Sequence, residues 1–251
     1  MLLENRNAVI YGGGGAIGGA VARAFAREGA RVHLAGRTRK SLEEVAESIR
    51  STGGRADTDQ VDALDEAAVD RFTAAVVERA GSLDVSFSLI SFGEVQGVAL
   101  TEISLADFER PVHNAVRAMF LTARSAARHM VLQKSGVILA FGGYGDPPRR
   151  HKMGGFQVAF GAMESLRRNL AMELGPHGIR VLTLQTGGVP ETIPEGLDYR
   201  DAITDEIAGH TMLGRAASLE DVGSAAVFAA SDMARSMTAT ALNITGGSVV
   251  D

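Results

Sequence analysis

Three stretches of this chain hold residues whose type and spacing could do chemistry. The first is YGGGGAIGG, Tyr11 to Gly19. Glycines there let the backbone turn tightly and approach a phosphate, with free N–H groups and a positive dipole end at the helix that follows. Gly12, Gly14, Gly15, Ala16, Ile17 and Gly18 are its candidate cofactor contacts. The second is GRTRK, Gly36 to Lys40. An Asp or Glu about 20 residues after such glycines suits the ribose 2′-hydroxyl of NAD, whereas an arginine suits a 2′-phosphate. Arg37 stands there, with Arg39 and Lys40 behind it, so NADP(H) is favoured over NAD(H). The alternatives are a plain flexible turn for the glycines and a solvated loop for Arg37. The third stretch is GGYGDPPRRHKMGG, Gly142 to Gly155. Tyr144 or His151 could donate a proton, and Lys152, Arg149 or Arg150 could hold an anionic substrate. A solvated surface loop is the competing reading.

The elements that must position these stretches follow from periodicity. NAVIY, RVHLA, DVSFSLI, GVILAF, IRVLTLQ and ALNIT read as strands, and Asp57–Val61 as a further one. Between them lie helical patterns over Ile17–Phe25, Lys40–Arg50, Asp65–Arg79, Ser104–Gln133, Phe156–Leu174 and Ser218–Ala230. Ser104 with Asp107, and Ser218 with Asp221, look like capping boxes. Strands alternating with helices predict a Rossmann-type doubly wound parallel β-sheet flanked by helices, one domain over residues 1–251. The segment from about 188 to 212 is expected to lie as a lid over the substrate.

Composition narrows the classes. The chain has 251 residues, 45% of them hydrophobic, enough to build one core. A net charge of −5 gives no basic bias toward nucleic acid or an anionic membrane. With 5% aromatic residues and no Trp, a base-stacking platform is disfavoured. The absence of cysteine excludes disulfides and thiolate metal sites, and the six histidines show no ligand spacing, so no metal is expected. No apolar run approaches the ~18 residues of a membrane span, and the opening residues are not a signal peptide, so a soluble cytoplasmic protein is expected.

The motif set resembles the short-chain dehydrogenase/reductase (SDR) family over nearly the whole chain. Gly12, Ala16 and Gly18 fall where that family has TGxxxGIG, and Asp62 matches its acid after the third strand. LAMELGPHGIRV, LGRAASLEDV and ALNITGGSVVD are similar to its later segments. The resemblance implies cofactor contacts at Ser91, Gly187 and Val189, and a homo-oligomer, either a dimer or a tetramer. It also implies a catalytic Ser, Tyr, Lys and Asn, and here the chain departs. Counting from neighbouring motifs places these at Gly143, Phe156, Phe160 and Ala115, with Asn114 one residue early.

Phenylalanine exchanges no proton, and acid–base catalysis is typically worth about 10²–10⁴-fold. An apolar site is expected beside the cofactor, with Tyr144, directly after the lost Ser position, as the substitute acid. Three functions compete. One is a divergent NADP(H)-dependent oxidoreductase acting on hydrophobic substrates that need little acid help, such as activated alkenes, quinones or flavins. Another is an inactive cofactor-binding protein, serving as sensor or oligomer partner. The third is a non-redox cyclase or dehydratase.

Overall fold

The computed structural model describes residues 1–143, 151–193, 196 and 200–250. Seven strands form one parallel sheet in the order β3-β2-β1-β4-β5-β6-β7. They are β1 (Asn7–Tyr11), β2 (Arg31–Gly36), β3 (Arg55–Gln60), β4 (Val85–Ser88), β5 (Gly136–Gly143), β6 (Ile179–Thr186) and β7 (Thr240–Asn243). The helices are α1 (Ala16–Arg27), α2 (Arg39–Arg50), α3 (Glu66–Ala80), α4 (Leu105–Gln133), α5 (Gly155–Leu174), α6 (Arg200–Gly209) and α7 (Leu219–Ala230).

Side-chain alternation along β1 shows how the sheet divides the core. Ile10 packs with Val21 and Phe25 of α1, Leu42 of α2 and Val222 of α7 on one face. Its neighbours Val9 and Tyr11 point the other way, toward Val69 and Phe72 of α3 and Ala126 and Met130 of α4. Strands buried on both faces must be apolar throughout, and all five residues of β1 are buried. The strand order reverses between β1 and β4, which opens a crevice outside their carboxyl ends.

The structure moves several expected boundaries. β3 begins two residues before Asp57 and ends at Gln60, before Val61. α6 lies within the segment expected as a lid, and no residue of it is fully buried, Ile203 and Ile207 being partly so. Ser218 and Asp221 form the full reciprocal capping box. Ser104 caps α4 by accepting the Asp107 N–H at 3.1 Å, but Asp107 takes the Ser104 hydroxyl at 2.7 Å, so the reciprocal bond is absent. No helix among the described residues is long and apolar enough to cross a membrane.

Candidate active site

The turn from β1 into α1 is fixed by main chain. The N–H groups of Gly12 and Gly13 donate to the Ala35 carbonyl at 2.8 and 3.2 Å, tying the turn to the end of β2. Gly12 has φ +78°, and a Cβ there would lie 2.3 Å from the Leu89 carbonyl oxygen, so only glycine fits. α1 opens at Ala16 with Gly15 as N-cap, no side-chain cap and no acid in its first turn. Its first N–H groups therefore lack the usual side-chain partner, which is the form of an anion site.

Beside this turn lies a cavity of about 490 Å³ at the strand-order reversal, lined by Gly12, Gly14, Gly15, Arg37, Asp62 and Ser91 among others. Ala16, Ile17 and Gly18 form the first turn of α1 beside it. Arg37 is exposed and makes no ion pair among the described residues, so its guanidinium can meet a phosphate. The Asp62 carboxylate accepts the Leu64 N–H at 3.0 Å, which holds it at the rim. The residues present fit a dinucleotide: a main-chain cradle, a cation at one end and a carboxylate beside it. Gly187 and Val189 stand past the end of β6, outside the lining of this cavity.

Next to the positions counted as Gly143, Phe156 and Phe160 lies an apolar cluster. Ala115 is 1% exposed and packs with Phe92, Met119, Ala140, Ala159 and Met163. Phe156 and Phe160, one turn apart on α5, pack against that cluster and stay partly exposed. Their ring centroids are 4.3 Å apart, and Phe92 stands edge-on to both at 6.1 and 6.2 Å. A Cβ on Gly143 would lie 2.6 Å from Cε2 of Phe160, and one on Gly142 would lie 3.4 Å from its Cδ1. The Phe160 ring thus occupies the space that a side chain at position 143 would need. Behind it, Glu164 accepts the Thr183 hydroxyl at 2.5 Å and binds the buried Arg167 at 2.7 Å.

The structure places Ala115, Phe156 and Phe160 in one cluster with Gly143 against the Phe160 ring, whereas sequence counting treats the four positions as separate losses. It also misses Phe92, although that residue directly follows Ser91. The Asn114 side chain lines the dinucleotide cavity and donates to the Phe92 carbonyl at 3.0 Å, so it supports the loop that carries this ring.

The third stretch is only partly placed. Tyr144, Asp146, Arg149 and Arg150 lie outside the described residues. His151 is 3.3 Å from the Glu206 carboxylate of α6, and Lys152 is exposed, with its carbonyl accepting the Gly97 N–H at 2.8 Å. No cluster of three His, Asp or Glu side chains suited to a metal occurs among the described residues.

Known proteins resemble the chain along its whole length. A family model described as enoyl-(acyl carrier protein) reductase matches residues 14–248. Gluconate 5-dehydrogenase of Gluconobacter oxydans is 28% identical, covering 99% of this chain and 96% of that protein. Secoisolariciresinol dehydrogenase of Forsythia intermedia is 30% identical, covering 98% and 89%. A solved short-chain dehydrogenase/reductase from Serratia marcescens superimposes with a TM-score of 0.88 at 25% identity, with both chains fully covered.

Proposed function

We propose a function from one premise: the chain belongs to the short-chain dehydrogenase/reductase family. At the coarse level it is an oxidoreductase of that family with a nicotinamide-type cofactor fold. Beyond this, our reading is an NADP(H)-dependent enzyme with a non-standard site, acting on a hydrophobic small molecule.

One observation carries it: a cavity has Arg37, Asp62 and Ser91 in its lining, and Phe92, which follows Ser91 in the chain, clusters with the Phe156 and Phe160 rings. When bound, the cofactor supplies or receives a hydride. The chain's own residues do the rest. The Gly12–Gly18 turn would hold the pyrophosphate on main-chain N–H groups, Arg37 would hold the 2′-phosphate, and Ser91, Gly187 and Val189 would meet the nicotinamide half. The three rings exclude water and press an apolar substrate against that half. Exposed Leu105, Phe120 and Leu132 on α4, with Val158 and Met172 on α5, support a homo-oligomer.

The test is a fluorescence titration with NADPH beside NADH. Wild-type protein should bind NADPH more tightly, and Arg37→Ala should lose about 1.5–3 kcal/mol for NADPH alone, the size of a charge-assisted contact. Equal affinities in wild type and variant would refute the cofactor assignment. The contact between Phe160 and Gly143 favours a second reading, cofactor binding without turnover, because it leaves no room for an orienting hydroxyl.

A further inference from the structure

We infer that Asn114 reads the base of the bound dinucleotide and makes this cavity select an amino-purine. The inference rests on the cofactor reading above. It gives a task to a residue that sequence counting leaves one place away from any.

The place of the base follows from Arg37. A 2′-phosphate held there fixes the ribose that carries it, and the base is joined to the same ribose. The loop of Arg37 is tied to the end of β3. The Val61 N–H donates to the Gly36 carbonyl at 3.0 Å, and the Gln60 side-chain amide donates to the Arg37 carbonyl at 2.9 Å. Asp62, Ala63 and Leu64 follow directly and line the same cavity. Arg117 of α4 donates to the Leu64 carbonyl at 2.8 Å, which holds α4 against this loop. One turn earlier on the same helix face stands Asn114, also in the lining. The base therefore falls between the Asp62–Leu64 loop and Asn114.

The Asn114 amide is fixed in one orientation. Its Nδ2 donates to the Phe92 carbonyl at 3.0 Å, and turning the amide over would set two carbonyl oxygens against each other. Its Oδ1 accepts nothing from the described residues, so an acceptor is left for a ligand. Asp62 leaves another. One of its oxygens accepts the Leu64 N–H at 3.0 Å, and the other has no partner among the described residues.

Two acceptors on two walls suit a group with two hydrogens. The 6-amino group of adenine is such a group, with one hydrogen for Asp62 and the other for Asn114. The 6-oxo group of hypoxanthine carries none, so it would face both oxygens and leave them unpaired.

The test is a ratio of affinities, read by the fluorescence of the reduced nicotinamide, and it needs no turnover. NADPH is titrated beside reduced nicotinamide hypoxanthine dinucleotide phosphate, which differs only in its base. The proteins are wild type, Asn114→Leu and Asn114→Ala. Wild type should prefer NADPH by about tenfold or more. Asn114→Leu should lose about fivefold of that preference, the size of one neutral hydrogen bond, through weaker binding of NADPH alone. A residue that only supports the Phe92 loop would weaken both cofactors equally and leave the ratio unmoved. Asn114→Ala reads the same ratio and decides if the leucine variant does not fold. Equal wild-type affinities for the two bases, or a wild-type ratio in a folded variant, would overturn this inference and leave the cofactor reading standing. Absence of NADPH binding to wild type would overturn the cofactor reading and this inference with it.

Discussion

The interlock between Gly143 and Phe160 makes a sharp prediction. Adding a Cβ at position 143 places it 2.6 Å from Cε2, 3.1 Å from Cδ2 and 3.2 Å from Cζ of Phe160, where ordinary contact is 3.4–4 Å. The ring cannot simply retreat, because Phe156 stands 4.3 Å behind it and Phe92 6.2 Å to the side. The strand is held as well, since Gly143 pairs with Thr186 of β6. Overpacking of this kind costs about 1–3 kcal/mol. In a chain of this length each kcal/mol lowers Tm by roughly 2–4 °C, so Gly143→Ser should melt about 5 °C lower.

Phe160→Ala alone should also destabilise, by loss of a partly buried ring. In the double variant the hydroxymethyl group enters the space the ring has left. Its cost should therefore fall below the sum of the single costs by about 1 kcal/mol or more. Urea unfolding of the four proteins reads this directly. A Gly143→Ser protein as stable as the parent, or strict additivity in the double variant, would refute the interlock.

Three further outcomes are expected. Phe156→Tyr, Phe160→Lys and Gly143→Ser made together should produce measurable ketone reduction where the parent has almost none; a folded, NADPH-binding triple variant without it would show that the positions were misassigned. Burial pushes the His33 imidazole, which is 0% exposed, down to about 4 from its ordinary 6.5. Between those values the unfolded chain binds a proton that the folded chain refuses. Stability is therefore full above pH 6.5 and falls by about 3 kcal/mol as pH drops toward 4, and His33→Phe should flatten that slope in urea unfolding. Glu164→Ala strands the Arg167 guanidinium, whose side chain is only 4% exposed. It should cost about 3 kcal/mol, and a loss below 1 kcal/mol would mean that other groups solvate that charge.

The sheet and its helices were legible because two periods alternate cleanly along the chain. Val9, Ile10 and Tyr11 announce a strand buried on both faces, and the spacing of Val21, Ala24 and Phe25 announces the helix on one of them. The glycine turn was legible because its demand is local: Gly12 must hold φ +78° within the turn. The aromatic floor was only half legible. Counting along α5 finds Phe156 and Phe160, but a count has no depth. It cannot show that a ring on α5 fills the missing side chain of a residue on β5, since that contact joins residues 17 apart. Phe92 escaped for the same reason, since its loop meets α5 only through the fold. α6 escaped because it buries no residue fully, so burial left only the weak mark of Ile203 and Ile207 in its sequence.

The cradle at the β1–α1 turn is built of peptide groups, and the floor beyond it is built of side chains. Peptide groups are the same whatever the residue, so the cradle depends only on the path of the chain through Gly12 to Ala16. The floor depends on four replaceable groups at 92, 143, 156 and 160. The two halves can therefore drift independently. A library varied at those four positions would sample new reactivities over one unchanging anchorage, and nucleotide affinity would serve as an internal control that each member had folded.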